Sequence, residues 1–244
     1  MSESNPGAWA VDLHPTNQWD FNFEKAVQDG WTDFFIKTSE GPYRDGSVLP
    51  LPGLPQFVKR AEAAGGRVGL YPYLVESFDK ALANSGKANA EHYLRRVEQC
   101  GGIDRRLVMP DFEEYHKPYQ YLTPSNGNLE AFMEYVQDRL DPGHPCVIYS
   151  GYYFWTGGNP SGPVENYGTK LTWDAELAAE EVVPQPRSYY HGMEHWGWNN
   201  RVWGGVKPIY WQFTWAGRVD GLNVDCDACR LSKEEHKALW QRAA

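Results

Sequence analysis

Short, continuous runs of apolar residues alternate along the chain with segments of helical spacing. The first apolar run covers residues 8–13, a helical segment follows over 21–28, and the next apolar run covers 33–38. Strands that are apolar throughout, rather than at every second position, are typical of parallel sheets covered by helices. This alternation constrains the fold more than any other feature, and it predicts an α/β protein.

The same pattern continues almost to the end of the chain. Helices are expected over 54–64, 89–100 and 128–140, and strands over 67–74, 106–112, 146–150, 171–173 and 209–213. Seven or eight strands in 244 residues suit a single irregular (β/α) TIM-like barrel better than an open sheet. No linker-like stretch and no internal repeat interrupts the chain, so one domain over residues 1–244 is expected.

Charge and composition exclude several classes of partner. The net charge is −9 and no Lys/Arg cluster is present, which argues against binding to nucleic acid or to anionic membranes. No apolar run approaches the ~18 residues of a membrane span, so no membrane insertion is expected. The first residues show no signal peptide, which predicts a protein that waits in the cytoplasm until it is released. Aromatic residues make up 15% of the chain, and a surplus of this kind either fills the core or forms surfaces that stack on sugars.

Motifs for metal, serine and phosphate chemistry are missing. Cys226 and Cys229 form a lone C-x-x-C without the second ligand pair of a zinc site. The seven histidines include no H-E-x-x-H, and neither G-x-S-x-G nor a phosphate loop occurs. The sequence therefore predicts no metal and no cofactor.

Carboxylates follow the apolar run Leu107-Val108-Met109 of the fourth strand, in the stretch MPDFEEY. Because side chains alternate along a strand, Asp111 and Glu113 are expected on one face, with Phe112 and Glu114 on the other. Two acids side by side raise the pKa of one partner, which keeps a proton available near neutral pH for glycosidic bond cleavage. The alternative is an ordinary strand end, where such acids are solvated or cap the next helix.

Two further acids favour the catalytic interpretation. Asp12 ends the first strand, and Asp225 follows an apolar run near the end of the chain. Acids at several strand ends of one barrel converge on a single site. Asp220 precedes Gly221 in a turn-like pair, whereas Asp227 shares a face with Asp225 by alternation and remains the competitor for its place.

With these residues, the chain resembles glycoside hydrolase family 25, the Chalaropsis-type lysozymes or N-acetylmuramidases, many of which are phage endolysins. The resemblance rests on seven stretches in the family's order, AVDLHPTNQWDF, GWTDFFIKTSEGPYRD, AAGGRVGLYPYL, VMPDFEEY, CVIYSG, LTWDAE and YWQFTWAGRVDGLNVD. The closing block is two residues shorter than is usual between its Gln and its Asp, which leaves Asp220 and Asp227 open as equivalents of Asp225.

The resemblance implies a peptidoglycan hydrolase that cleaves the β-1,4 bond between N-acetylmuramic acid and N-acetylglucosamine. Glu113 is then the general acid/base and Asp111 its partner, orienting the substrate's own N-acetyl group, with Asp12 and Asp225 as the further acids of the site. The residues implied in the sugar groove are Lys37, Glu40, Tyr71, Tyr149, Trp173 and Trp211. A phage endolysin that acts on the cell wall as a monomer is expected, and no separate wall-binding domain is visible.

Two alternatives stay open at this point. One is a non-catalytic glycan-binding barrel that keeps the aromatic groove. The other is a chitinase-like hydrolase, because D-x-E strand ends also occur in that class of barrels. The intact set of four acids disfavours the first alternative, and the stretches IKTSEG and YWQFTW disfavour the second.

Overall fold

The computed structural model describes residues 6–42, 47–76, 85–114, 124–151, 154–155, 183–190 and 207–243, and the backbone of 171–174. Its strands are β1 (Ala8–Leu13), β2 (Asp33–Glu40), β3 (Arg67–Tyr73), β4 (Leu107–Val108), β5 (Val147–Ser150), β6 (Leu171–Asp174), β7 (Tyr210–Val219) and β8 (Leu222–Cys229). Its helices are α1 (Phe23–Gln28), α2 (Leu54–Ala63), α3 (Ser85–Gln99), α4 (Asn126–Gln137), α5 (Pro186–Tyr189) and α6 (Lys233–Gln241). No helix in these ranges is long and apolar enough to cross a membrane.

The strands form one sheet with the order β4-β3-β2-β1-β8-β7-β6-β5. Every pairing is parallel except those of β8, which runs antiparallel to both β1 and β7. The expectation of a parallel sheet is therefore wrong for the last strand. The cause is a tight hairpin turn, in which Asp220 and Gly221 adopt φ values of 48° and 79° between the paired residues Val219 and Leu222. Asp-Gly is a preferred pair for such turns, and a hairpin makes its two strands antiparallel.

The two terminal strands of this order, β4 and β5, also contact each other. Isolated parallel bridges join Val108 to Cys146 and Asp111 to Tyr149. The α/β class is confirmed by these elements. A closed TIM-like barrel remains a prediction.

The sheet has two buried faces, as its continuous apolar strands predict. One face, called here the helix face, carries Val11, Ile36 and Val108 and packs against helix residues such as Phe57 and Phe132. Amphipathic spacing in the helices supplies the other half of this layer, and α2 buries Leu54, Phe57, Val58 and Ala61. The opposite face, called the acid face, carries Ala10, Phe35 and Met109. The helix α6 covers this face at the end where β2 begins.

Two element predictions need correction. The strand expected over 106–112 is regular only at Leu107–Val108, because Pro110 has no N–H to donate to a neighbouring strand. Hydrogen bonds still hold the irregular part, since the Asp111 N–H donates to the Pro72 carbonyl at 2.9 Å. The final helix, α6, was not expected, although Ser232 and Glu235 form a complete capping box at its start.

The lone C-x-x-C lies within β8, where residues three apart point to opposite faces. Cys226 is accordingly buried in the helix-face layer, and Cys229 is buried on the acid face. The strand geometry therefore separates the two thiols, which do not form a ligand pair.

Candidate active site

Four carboxylates meet on the acid face, and we call this group, Asp12, Asp111, Glu113 and Asp225, the acid cluster. Asp12 and Asp225 are directly paired in register between β1 and β8. Asp111 forms bridges to Tyr73 on one side and to Tyr149 on the other. Three separate parts of the chain thus bring their acids to one place.

Alternation after β4 holds as predicted. Phe112 is buried in the helix-face layer, and Glu114 is exposed. Asp111 and Glu113 point the other way, with Asp111 only 6% exposed. A hydrogen bond of 3.2 Å from the Tyr73 hydroxyl to the Glu114 carbonyl fixes the backbone directly after Glu113.

Burial and mutual repulsion favour the protonated forms of these acids. Burial is the main cause that raises the pKa of Glu113 to about 7 and that of Asp12 to about 7. Burial also raises the pKa of Asp111 well above its ordinary value, with repulsion from Glu113 as the next cause. The pKa of Asp225 is raised well above its ordinary value by burial and then by the charge of Asp12. The cluster therefore holds protons at neutral pH, which four ordinary carboxylates would not.

Lys37 is the cation that opposes this trend. Its charge lowers the pKa of Asp12, Asp111 and Glu113. The Lys37 Nζ lies 2.6 Å from a carboxylate oxygen of Glu40 and 4.6 Å from the centre of the Tyr73 ring. Glu40 thus holds the ammonium next to the acid cluster.

Two tyrosines border the acids. Tyr71 is hydrogen-bonded to Asp12, and this bond lowers the pKa of that carboxyl against the effect of burial. Burial and the neighbouring acids raise the pKa values of Tyr71 and Tyr149 well above the ordinary value. Both phenols therefore stay protonated and can donate hydrogen bonds.

Gln212 is a site residue that sequence reasoning missed. Its side chain hydrogen-bonds the Asp225 carboxyl and lowers the pKa of that group. Gln212 lies on β7 and is buried on the same face as the acids. Its place in the YWQF stretch is the available signal, but the family resemblance points to the tryptophan of that stretch instead.

Trp211 is not part of this group, so its expected place in the sugar groove is wrong. Its neighbour Gln212 points to the acids, and alternation therefore turns Trp211 to the helix face. There it is fully buried, with ring centres 6.0 Å from Phe213 and 5.8 Å from Tyr190. The backbone of Trp173 pairs with Tyr149 and Tyr210, but its side chain lies outside the described residues.

The two competitors of Asp225 lie elsewhere. Asp220 occupies the hairpin turn between β7 and β8. Asp227 is fully buried two residues further along β8, where it pairs with Ala10 and Gln212. Among the described residues, no group of three or more His, Cys, Asp or Glu side chains is arranged to hold a metal ion.

The sequence matches the family model described as glycosyl hydrolases family 25 over residues 12–222. The chain belongs to this family. It is accordingly a glycoside hydrolase, and the matched range includes Asp12, Asp111 and Glu113. Asp225 lies three residues beyond the match, so its place in the site rests on its pairing with Asp12.

Solved structures of family 25 type are similar over nearly the whole chain. The muramidase from Trichobolus zukalii is 20% identical, with 96% of this chain and 99% of that chain covered at a TM-score of 0.65. The bacterial lysozyme from Streptomyces coelicolor is 19% identical, with 98% and 99% covered and a TM-score of 0.67. The catalytic domain of endolysin ply40 from bacteriophage P40 of Listeria monocytogenes is 16% identical, with 96% and 97% covered and a TM-score of 0.61. These likenesses show a shared fold; a search of curated protein sequences gives no match.

Proposed function

We propose that this glycoside hydrolase is a muramidase, which hydrolyses the β-1,4 bond between N-acetylmuramic acid and N-acetylglucosamine in peptidoglycan. Family membership supports the reaction type, and the similar proteins are a muramidase, a lysozyme and an endolysin domain. The observation that carries the proposal is the partly buried acid cluster, in which the pKa of Glu113 is about 7.

Glu113 is proposed as the general acid/base. A pKa of about 7 keeps about half of the Glu113 carboxyls protonated in neutral solution, and the protonated form can donate its proton to the leaving glycosidic oxygen. The carboxylate that remains then accepts a proton from the attacking water, which restores the enzyme. Lys37 limits the rise of this pKa, because its charge stabilises the ionised form.

The neighbouring acids are proposed to position the substrate. Asp111, next to Glu113, orients the N-acetyl group of the bound sugar, which acts as internal nucleophile in a reaction with retention of configuration. Asp12 and Asp225 complete the polar floor between β1 and β8. The Tyr71 hydroxyl holds Asp12 in place, and the protonated hydroxyl of Tyr149 donates a hydrogen bond to a sugar oxygen. Lys37 and Glu40 form the remaining polar border.

Finer features of the sequence prediction remain proposals. We propose that the sheet wraps into an irregular barrel, which the bridges of Val108 to Cys146 and of Asp111 to Tyr149 support. A single catalytic domain that acts on the cell wall as a monomer fits the family match and the near-complete coverage of the similar chains. Phage origin stays a prediction.

The decisive experiment is an analysis of the new chain ends. Purified peptidoglycan and chitin oligomers are incubated separately with the protein, the products are reduced with borohydride, and the reduced sugars are identified by mass spectrometry. A muramidase creates new reducing ends only at N-acetylmuramic acid residues of peptidoglycan, so reduced N-acetylmuramic acid is the expected product. Reduced N-acetylglucosamine from chitin indicates a chitinase-like enzyme, and binding without new ends indicates a glycan-binding protein. Glu113→Gln serves as the inactive control.

A further inference from the structure

Among the described residues, two large apolar side chains are exposed. Trp19 is 41% exposed and Trp215 is 49% exposed. A single exposed apolar residue needs no explanation in itself, so the surroundings of each ring decide whether it has a role. Trp19 lies against α2, with its ring stacked on Phe57 at 5.9 Å and the Arg60 guanidinium 5.4 Å from the ring centre.

Trp215 lies in a different place, at an irregularity of β7 directly opposite Asp225. Thr214 pairs with Cys226 and Gly217 pairs with Val224, so the two residues Trp215 and Ala216 together oppose Asp225 alone. This is the arrangement of a β-bulge, a device that re-aims a side chain and is frequent next to active sites.

The bulge turns Trp215 toward the acid cluster. Cys226 and Val224 belong to the helix-face layer, and a Cβ on Gly217 would lie 2.2 Å from the Cys226 sulfur. Thr214 and Gly217 therefore face the helix side of the sheet. Because side chains alternate along a strand, their neighbours Trp215 and Ala216 lie on the opposite side, which is the side of Asp225. Because Trp215 lies across from Asp225 and on the same face of the sheet, we infer that its indole lies at the edge of the acid cluster.

Hydrogen bonds hold the bulge on both sides. The Ala216 N–H donates to the Thr214 hydroxyl oxygen at 3.0 Å, and the Ala216 carbonyl accepts from the Val183 N–H at 2.8 Å. The Arg218 N–H donates to the Val183 carbonyl at 2.8 Å. These hydrogen bonds fix the backbone that carries the indole of Trp215. Less conformational entropy is therefore lost when a ligand binds to this side chain.

We propose that Trp215 is a stacking platform for one sugar ring of the glycan strand, on the Asp225 side of the bond that Glu113 cleaves. The inference rests on the proposed muramidase function. A pyranose presents a face of C–H groups, and a flat, amphipathic indole is suited to cover that face while sugar hydroxyls stay in water. The β7–β8 hairpin thereby adds one apolar contact with a sugar ring next to the polar acid cluster.

The test measures binding separately from cleavage. In a Glu113→Gln background, calorimetry follows the binding of a peptide-free tetrasaccharide of alternating N-acetylglucosamine and N-acetylmuramic acid. Trp215→Ala is expected to weaken binding about tenfold, whereas Trp215→Tyr, which keeps a flat ring, stays within about threefold. Trp19→Ala is the matched control, because it removes a similarly exposed indole that lies against α2, and it leaves binding unchanged.

Kinetics on peptide-free glycan strands give a second readout with Glu113 intact. Trp215→Ala is expected to raise KM about tenfold with kcat within about twofold, since the contact is made equally in the ground and transition states. The melting temperature stays unchanged because the side chain is exposed.

The outcomes separate the two proposals. Wild-type cleavage with unaltered binding and KM in Trp215→Ala overturns the platform and leaves the muramidase function intact. Binding through Trp215 without any release of reducing ends supports the platform and overturns the hydrolytic function. A protein that neither binds nor cleaves the glycan overturns both.

Discussion

Two buried polar groups lie on the acid face, at opposite ends of its strands, and they differ in how their charges are balanced. At one end, the acid cluster gathers carboxylates around the ammonium of Lys37. At the other, Asp33 at the start of β2 accepts hydrogen bonds from Arg67 at 2.8 Å and from the Tyr210 hydroxyl at 2.7 Å, and His236 lies 2.7 Å away. We call this second group the Asp33 cluster.

Burial has opposite consequences in the two clusters, although Asp33 is fully buried and Asp12, Glu113 and Asp225 are partly exposed. Burial alone would raise the pKa of Asp33, but the hydrogen bond and charge of His236, together with Arg67 and Tyr210, bring it below its ordinary value. In the acid cluster, burial and like charges act in the same direction, and the pKa values rise. A carboxylate surrounded by donors fixes α6 to the sheet, whereas crowded carboxylates keep a proton for chemistry.

The largest effect is expected from breaking the acid cluster at Glu113. Glu113→Gln keeps the shape of the side chain but removes its transferable proton, and the rate should fall roughly 10²–10⁴-fold with the fold intact. Initial rates of peptidoglycan lysis measure this loss. Glu114→Gln is the matched control and stays active, because Glu114 is exposed on the other side of the chain. A Glu113→Gln enzyme that retains more than about a tenth of the wild-type rate contradicts the assignment.

The Asp33 cluster should respond in stability rather than in catalysis. Asp33→Ala leaves the buried His236 and the partly exposed Arg67 without their carboxylate, and the free energy of unfolding should fall by about 3–5 kcal/mol. Urea unfolding measures this change, and the rate per folded molecule is expected to stay at the wild-type level.

The sign of the pH dependence follows from the lowered pKa of Asp33. Its contribution to stability is present above the unfolded-state pKa of about 4 and is lost as the pH falls through the lower folded-state value. The stability difference between wild type and Asp33→Ala should therefore shrink only in acid. A difference that persists unchanged below pH 3 contradicts this account of the cluster.

A sharper comparison concerns the aspartates of the last strand. Asp225→Asn should lower the rate at least about tenfold, or ~1.4 kcal/mol of transition-state stabilisation, because Asp225 is paired with Asp12 in the acid cluster. Asp220→Asn, in the hairpin turn, should cost almost nothing. Initial lysis rates of these two variants and of Asp227→Asn decide the register. If Asp227→Asn is the inactive variant, the assignment of β8 is wrong by two residues.

The smallest expected effect is a shift of the pH profile. With a pKa of about 7, Glu113 loses its proton as the pH rises, so kcat/KM should decline on the alkaline side near that value. Lys37 lowers the pKa of Glu113, and Lys37→Met should therefore move this decline to higher pH. Profiles of kcat/KM from pH 5 to 9 measure the shift; movement to lower pH contradicts the role of Lys37.

Much of the fold was predictable because apolar periodicity depends on nearby residues alone. The predicted first strand matches β1 in both bounds, and α2 and β3 differ from prediction by one residue at one end. The antiparallel course of β8 was not predicted, since it depends on which strand the chain pairs with after the Asp220 turn. Pairing of distant strands leaves no periodic signal in the sequence.

The site shows the same division. Alternation within one strand placed Asp111 and Glu113 on a common face, and this needed no knowledge of the neighbouring strands. Trp211 was placed in the sugar groove by the resemblance of its stretch, which does not tell which face of β7 each residue occupies, and there the prediction was wrong. The position of Trp215 depends on the bulge in β7, which leaves no periodic signal in the sequence.

The placement of β8 between β1 and β7 also has a consequence for folding during synthesis on the ribosome. β1 leaves the ribosome first, and β8, which begins at Leu222, follows roughly 10–40 s later at the usual rates of about 5–20 residues per second. Until then Asp12 has no Asp225 opposite it, and the sheet between β1 and β7 has a gap. A nascent or prematurely terminated chain therefore lacks the assembled site, and the capacity to cut a glycan strand arises only as synthesis of the domain finishes.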